Sequence, residues 1–359
     1  MSTSTLTQQQ PISATEVRNS TDFYRLTPNQ QSDQLAKMAQ YALSYWQLTA
    51  DHISLIKYRE NAVFSIHTTT GERYALRIHR PGYHDDAALR SELQWMSALA
   101  DSGVKVPEVI PTPDQQLMVK VSVPEVPEPR QIDLFAWVEG QPLGSVEHGL
   151  GSDLQQIAKI YYNIGNTAAR VHNQASQWPL PEGFQRHAWD LDGLVGEAPF
   201  WGRFWELESL TTEQQQLLEQ ARDKARRELA SFNKNADNYG LIHADFVPEN
   251  LMTDGENVRL IDFDDAGFGW HLFELATALY FIQEEPSYDT AKTALLWGYN
   301  EQRPLKLEDI VHLELFLTLR GFTYLGWIRS RQETETAQEM TPDLVRRACK
   351  QAERYLALD

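Results

Sequence analysis

Leu241-Ile242-His243-Ala244-Asp245-Phe246-Val247-Pro248-Glu249-Asn250-Leu251-Met252 decides the reading of this chain. An apolar pair that reads as a strand end runs into His-x-Asp. Asn250 follows after a four-residue gap, and a second apolar pair closes the segment. Eleven residues past Leu251 comes Asp262, inside Leu260-Ile261-Asp262-Phe263-Asp264. Taken singly, each residue also has an ordinary use: Asp245 or Asn250 as a loop cap, Asp262 as a turn opener, His243 as a satisfied core histidine. The joint spacing, framed by apolar strands, carries the reading.

Phosphoryl transfer needs such a set. The group in flight spreads negative charge over its oxygens, so metal ions and fixed cations must neutralise it. Mg²⁺ takes hard oxygen ligands, usually one or two carboxylates together with phosphates. Asp262 and the amide oxygen of Asn250 suit that task. A separate carboxylate must orient the attacking hydroxyl and accept its proton, and Asp245 is placed for it. His243 would brace the loop. His-x-Asp-x₄-Asn followed by strand-Asp-Phe is the kinase pattern of catalytic loop and metal aspartate.

Working outward, the N-terminal half reads as short strands of β-branched and aromatic residues: Ile53 to Tyr58, Ala62 to Thr68, Arg73 to His79, Val104 to Val109, Leu117 to Val121 and Ile132 to Val138. A helix is expected over Ser32 to Leu48 and another over Ala87 to Ala100. After Gly151 helices dominate, notably Leu154 to His172 and Thr211 to Phe232. The fold class is therefore α+β: a small β-rich lobe with one main helix, then a larger, mostly helical lobe. The expected domains are a flexible N-terminal extension over residues 1–30, a nucleotide-binding lobe over 31–138 and a catalytic and substrate-binding lobe over 139–359. On the third strand Arg77 is a cation flanked by apolar residues, and Glu92 lies fifteen positions on, within a helix. The two would form the ion pair that grips phosphates, with arginine standing in for the usual lysine; a purely structural ion pair is the other reading.

Composition narrows the rest. The formal charge of −18 opposes binding to nucleic acid, whose phosphates must be met by Lys and Arg. A single cysteine, Cys349, excludes an intrachain disulfide and a cysteine-based zinc site. No apolar run reaches the roughly 18 residues a membrane span requires, and Met1 to Pro11 lacks the basic start and apolar stretch of a signal peptide. A cytoplasmic protein without a membrane or nucleic-acid partner is expected.

The sequence resembles the aminoglycoside phosphotransferase and choline kinase superfamily, nearest its homoserine-kinase-like and hydroxylysine-kinase-like branches, over about residues 50 to 330. The likeness rests on Glu60-Asn61, Leu76-Arg77, Ser91-Glu92-Leu93, Trp137-Val138-Glu139-Gly140, His243-Ala244-Asp245, Pro248-Glu249-Asn250, Ile261 to Asp265 and Phe273-Glu274-Leu275-Ala276. The resemblance implies a bilobal protein-kinase-like fold that uses ATP and Mg²⁺. Asp245 would be the base, Asn250 and Asp262 the metal ligands, and Asn61, Arg77, Glu92 and the backbone near Ala136 and Val138 the nucleotide contacts, with Phe135 at the back of that pocket. His243, Glu249 and Asp264 would support them. No long segment with Ala-Pro-Glu follows Asp262, as a protein kinase would have. The acceptor is expected to be a small metabolite with a hydroxyl group, amine-bearing because aromatics and carboxylates together suit an amine. Candidates to hold it are Asp264, Asp265, Tyr280, Trp297, Tyr299, Arg320, Tyr324, Trp327 and Trp189 within Arg186 to Asp190; an aromatic at helical spacing also fits plain core. Arg320 could bind a substrate carboxylate. Two alternatives stay open, a stress-response-type Ser/Thr protein kinase and a nucleotide-binding pseudokinase. The sequence leaves the oligomeric state undetermined.

Overall fold

The computed structural model describes residues 20–58, 61–144, 152–254 and 258–358. The chain divides into two compact units, residues 1–93 with 108–137, and residues 94–107 with 138–359.

The first unit opens with a 3₁₀ turn at Ser20–Arg25 and helix α1, Pro28–Ala42. Both start within residues 1–30. Thr27 caps α1: its hydroxyl accepts the Gln30 N–H, and the Gln30 side chain accepts the Thr27 N–H. Pro28 at the first helical position costs nothing, because its missing N–H would have no helical partner. Phe23 is buried against the sheet core. Strands β1 (Ala50–Tyr58), β2 (Ala62–Thr68) and β3 (Arg73–Ile78) follow, then α2 (Asp86–Asp101), β4 (Met118–Val121) and β5 (Arg130–Ala136). They form a five-stranded antiparallel sheet in the order β1-β2-β3-β5-β4.

Period-two alternation sorts the side chains of this sheet. Phe64, Leu76 and Leu134 are cross-strand neighbours on one face, packed with Leu35, Met38, Ala39 and Ala42 of α1. Arg77 and Asp133, directly opposite each other on β3 and β5, point to the other face, where the α2 residue Glu92 meets them. The strand expected over Val104 to Val109 does not form. Pro107 and Pro111 cannot donate to a ladder, and only an isolated bridge joins Val109 to Phe135.

The second unit adds β6 (Gln141–Pro142), α3 (Leu154–Gln177), β7 (Ala188–Trp189), α4 (Leu191–Val195), α5 (Thr212–Ser231), β8 (Tyr239–Ile242), β9 (Leu251–Thr253), β10 (Val258–Leu260), β11 (Gly267–Trp270), α6 (His271–Tyr280), α7 (Tyr288–Gln302), α8 (Leu307–Ile310), α9 (Leu313–Arg329) and α10 (Glu335–Leu356). Two small sheets, β7-β11-β8 and β10-β9-β6, frame the segment quoted above. Helices α3 and α7 touch backbone to backbone. A Cβ on Gly165 would lie 2.0 Å from the Leu295 carbonyl oxygen, and one on Gly298 would lie 2.1 Å from that of Tyr162. Among the described residues, no helix is long and apolar enough to cross a membrane.

Candidate active site

Strand β8 delivers the chain into His243-Ala244-Asp245, and the fold fixes that turn from three sides. The first is Glu274 of α6, fully buried, whose carboxylate accepts the N–H of His243 and the N–H of Ala244, each at 2.7 Å. The second is His243 itself. Its Nδ1 accepts the Asp245 N–H at 3.2 Å, so its Nε2 carries the proton and donates to the Ile261 carbonyl at 3.0 Å. The third is Arg320 of α9, fully buried, which donates through Nη1 to the Ala244 carbonyl and through Nη2 to Asp245 Oδ1, both at 3.0 Å.

These restraints hold a strained backbone. Ala244 has φ +65° and Asp262 has φ +68°. A residue with a Cβ gives up about 1–2 kcal/mol there, and such conformers persist where the surroundings over-determine them. Both backbone groups of Ala244 are engaged, which meets that condition.

Asn250 closes the site. Its amide NH₂ donates to the Asp245 carbonyl at 3.0 Å and to Asp245 Oδ2 at 2.7 Å. With the nitrogen committed to Asp245, the other end of the amide is an oxygen, the end a hard cation accepts. The Asn250 carbonyl accepts the Ile261 N–H at 2.8 Å. Ile261 is therefore tied on both sides, to the Asn250 carbonyl and to His243, and the exposed Asp262 follows it directly in the chain. Among the described residues no three His, Cys, Asp or Glu side chains gather as a metal site. One carboxylate and one amide oxygen suit a magnesium-like ion that shares its shell with phosphates rather than a metal caged by protein alone.

Behind Asp262 the turn at 264–266 is braced by Arg186, His187 and Trp189. Arg186 donates to the carbonyls of Asp264 and Ala266, and His187 Nε2 and Trp189 Nε1 donate to the Asp265 carbonyl. Trp189 is fully buried and Tyr280 likewise, so both belong to the packing around the site rather than to an open acceptor wall. Trp297 is 62% exposed, with its ring edge-on to Tyr162 on the α3 and α7 surface. Tyr324 accepts a hydrogen bond from Arg320 Nη2 at 2.8 Å and lies beside Tyr280, ring centroids 5.2 Å apart. Burial holds the Tyr161 and Tyr324 hydroxyls well above the ordinary phenol range, and the nearby Glu249 carboxylate pushes both in the same direction, for Tyr324 after Asp245. The expectation that Arg320 takes a substrate carboxylate gives way: its guanidinium already serves the Asp245 turn and Tyr324.

In the first unit Arg77 forms the expected pair with Glu92, Nη2 to Oε1 at 2.8 Å. Sequence reasoning missed its larger partner. Asp133 takes Arg77 Nε at 3.1 Å and Nη2 at 2.7 Å, and His79 Nε2 lies 2.8 Å from Asp133 Oδ2. All four side chains are buried. Burial alone would push the Asp133 carboxyl up, but the charges of Arg77 and His79 and their hydrogen bonds outweigh it and bring it to about 2. The sign that could have found it is a lone aspartate inside the apolar run Ile132-Asp133-Leu134-Phe135. Asn61 is turned inward, its Oδ1 accepting the Arg80 N–H at 3.0 Å. Its neighbour Glu60 lies outside the described residues. The Ala136 N–H is spent on the Glu108 carbonyl at 2.9 Å, which leaves that amide no donor for an adenine. Phe135 is buried, its ring 5.1 Å from the Arg77 guanidinium.

The sequence pattern of the phosphotransferase enzyme family, the aminoglycoside phosphotransferase group, matches residues 53–305, from β1 through the end of α7. The chain belongs to this family. It is accordingly an enzyme of the kinase class, and the α+β, protein-kinase-like expectation holds. Within the family it is similar to amicoumacin kinase of Bacillus subtilis (strain 168), 23% identical over 315 residues that cover 85% of this chain and 88% of that one. It is also similar to homoserine kinase of Rhizobium meliloti (strain 1021), 27% identical over 263 residues, 71% of this chain and 72% of that one. Among solved structures, a microcompartment-associated aminopropanol kinase superposes with a TM-score of 0.78 at 31% identity, covering 89% of this chain and 97% of that one. An amicoumacin kinase in complex with AMP-PNP and Ca²⁺ superposes with a TM-score of 0.70 at 16% identity over 94% of this chain and 96% of that one, which shows a shared fold.

The Glu274 clamp gives a pH-dependent prediction. Burial raises the Glu274 carboxyl to about 7 from an ordinary 4.5, against the opposing pull of His243, the two loop N–H groups and Arg320. A folded-state value above the unfolded one contributes stability below pH 4.5 and loses it as pH rises through 7. Glu274→Gln cannot titrate and presents one NH₂ to a loop N–H, at a cost of about 1–3 kcal/mol. In urea unfolding, the stability advantage of the native protein over Glu274→Gln should therefore shrink by something on the order of 3 kcal/mol between pH 4 and pH 8. An advantage that grows over that range contradicts the assignment.

Proposed function

We propose that this phosphotransferase moves the γ-phosphoryl group of ATP to the hydroxyl of a small amino alcohol, with Mg²⁺ as the divalent metal ion. The observation that supports the reading is the set of restraints that fixes the Asp245 turn and its carboxylate against Asn250. The substrate class draws on the 31% identity to an aminopropanol kinase across nearly the whole chain.

In this reading Asp245 is the catalytic residue. Its carboxylate, held at Oδ1 by Arg320 and at Oδ2 by Asn250, accepts a hydrogen bond from the acceptor hydroxyl, aligns its oxygen for attack and receives its proton as the new P–O bond forms and the bond to the leaving diphosphate oxygen breaks. Asn250 Oδ1 and Asp262 are the residues that would hold the metal. When bound, the metal supplies charge neutralisation for the phosphate oxygens. Arg77, fixed by Glu92 and Asp133, is the nucleotide-binding cation of the first unit. The carboxylates of Glu249 and Asp265 and the ring of Tyr324 favour a cationic amine on the acceptor.

Purified protein with ATP and Mg²⁺ should phosphorylate aminopropanol or ethanolamine with a kcat/KM about tenfold or more above homoserine and aminoglycosides, the discrimination that one or two well-placed contacts supply. Homoserine as the best acceptor, or transfer only to protein, would sink the amino-alcohol reading. EDTA should abolish turnover, and excess Mg²⁺ should restore it.

A further inference from the structure

We infer that Asp133 is a positioning residue for the nucleotide, matched to Arg77 so that arginine rather than lysine is the cation this site requires. The inference rests on the proposed reading of Arg77 as the nucleotide-binding cation. Arg77 and Asp133 are cross-strand partners on β3 and β5, and β3 lies inside the sheet with β2 on its other side. Strands paired on both flanks hold a side chain more closely than a loop does.

Asp133 meets the guanidinium side-on. Its Oδ1 accepts Nε–H at 3.1 Å and its Oδ2 accepts Nη2–H at 2.7 Å. Two bonds from one edge of the fork fix a guanidinium in its plane as well as in place. Nη2 also donates to Glu92 Oε1 at 2.8 Å. Nε and Nη2 are thereby committed to carboxylates, and a phosphate at this cation is met at Nη1. Asp133 is braced in turn. It is fully buried, and its Oδ2 lies 2.8 Å from His79 Nε2, which donates because the carboxylate can only accept. His79 is buried as well. Its N–H donates to the Gln131 carbonyl at 3.0 Å, and its carbonyl accepts from Arg130 Nη1 at 3.2 Å.

Charge explains why the match is with arginine. Arg77 faces two buried carboxylates, one more than the pairing of β3 with α2 needs. A guanidinium answers both through Nε and Nη2 and still presents a third nitrogen, whereas an ammonium is a single compact centre. With lysine at 77 the pair to Glu92 survives, but Asp133 keeps only His79 of the partners named above. Its charge then stands buried beside the place where phosphate oxygens arrive. Asp133 thus acts in two ways of opposite sign. As an anion it opposes a phosphate, and as a brace it fixes the donor that meets one. Its two bonds to Arg77 are short and shielded from water, which strengthens them and makes the brace the larger effect.

Isothermal titration of the full chain with ADP in the presence of Mg²⁺ tests this. Asp133→Asn should weaken ADP binding about tenfold, the worth of one charged hydrogen bond. Unchanged or tighter binding overturns the positioning role, because loss of an anion alone would favour a phosphate. Arg77→Lys should also weaken binding about tenfold. The double variant Arg77→Lys with Asp133→Asn should bind at least about threefold more tightly than Arg77→Lys alone, since the surplus anion is gone. Any smaller recovery overturns the match between the two residues. Arg77→Met separates this inference from the reading beneath it. Weakened binding in Arg77→Met beside native binding in Asp133→Asn removes only the inference. Native binding in both Arg77→Met and Arg77→Lys removes the reading of Arg77 as the nucleotide cation, and the inference with it. Should Asp133→Asn fail to fold, the native protein decides. In nitrogen-15 spectra, added ADP should move the Arg77 Nη1 resonance more than that of Nε. A larger movement at Nε, or none at either, overturns the proposal.

Discussion

Asp245→Asn will lower the rate of phosphoryl transfer to the acceptor by about a thousandfold, the range expected for loss of a positioned general base, and will weaken divalent metal binding with it. The second effect comes from the hydrogen-bond pattern. In the native protein the Asn250 NH₂ donates to Asp245 Oδ2, and Arg320 Nη2 donates to Oδ1. An asparagine at 245 can offer its single oxygen to Arg320, but its NH₂ then faces the NH₂ of Asn250. Relief requires the Asn250 amide to turn over, which puts nitrogen at the position of the oxygen proposed to hold the metal. Titration of Mn²⁺ as a paramagnetic reporter should show the apparent Kd raised about tenfold, the equivalent of one lost ligand-strength contact of about 1.4 kcal/mol. Asp245→Ala differs: it leaves the Arg320 charge buried and short of its carboxylate, and should cost about 3–5 kcal/mol of stability besides activity. Asp245→Asn with native-like turnover would remove Asp245 from the reaction. A rate loss with native metal affinity would keep the base and remove the coupling through Asn250.

That coupling shows how far the sequence could be read. Spacing alone put Asp245, Asn250 and Asp262 in one loop system, because backbone geometry ties residues close in sequence to a few arrangements. Strand edges in the first unit were legible for the same local reason: alternation over Ala62 to Thr68 matches β2 residue for residue. What the sequence hid were partners brought in from far away. Glu274 comes 30 residues after Ala244 and Arg320 comes 75 after Asp245. Each sits in a strongly apolar helix, where the sequence gives no indication of the atom a buried charge faces. From sequence Arg320 suits either a substrate carboxylate, by its bidentate fork, or the surface; packing gives it to the Asp245 turn and Tyr324. Proline at 107 and 111 likewise overrode the β-branched pattern of Val104 to Val109, since a missing N–H cannot be supplied by side-chain propensity.

Arg77→Met should be among the most damaging single changes in the first unit, and it separates two roles that the native protein combines. The guanidinium answers two buried carboxylates at once, Glu92 at 2.8 Å and Asp133 at 2.7 and 3.1 Å. Removing it leaves both charges buried with His79 as the remaining cationic candidate named above, a loss of about 3–5 kcal/mol. The pH profile should reverse its sign. Asp133, held at about 2 against an ordinary 3.8, contributes stability that is full above pH 3.8 and lost as pH falls through 2. Without Arg77 burial dominates and the carboxyl rises above 3.8, so the contribution becomes largest at low pH and falls as pH rises. Urea unfolding from pH 4 to 8 should accordingly show the variant closest to the native protein at the acid end. Arg77→Lys keeps the charge but cannot span two carboxylates with one fork, so it should fall between. Nucleotide affinity, measured by titration at a temperature where all three proteins are folded, then decides function. A KM for ATP raised about tenfold or more in Arg77→Met, by the loss of a charged contact, makes Arg77 a phosphate ligand. An unchanged KM beside the lost stability makes it the central brace of the sheet and moves the phosphate contact elsewhere in the first unit.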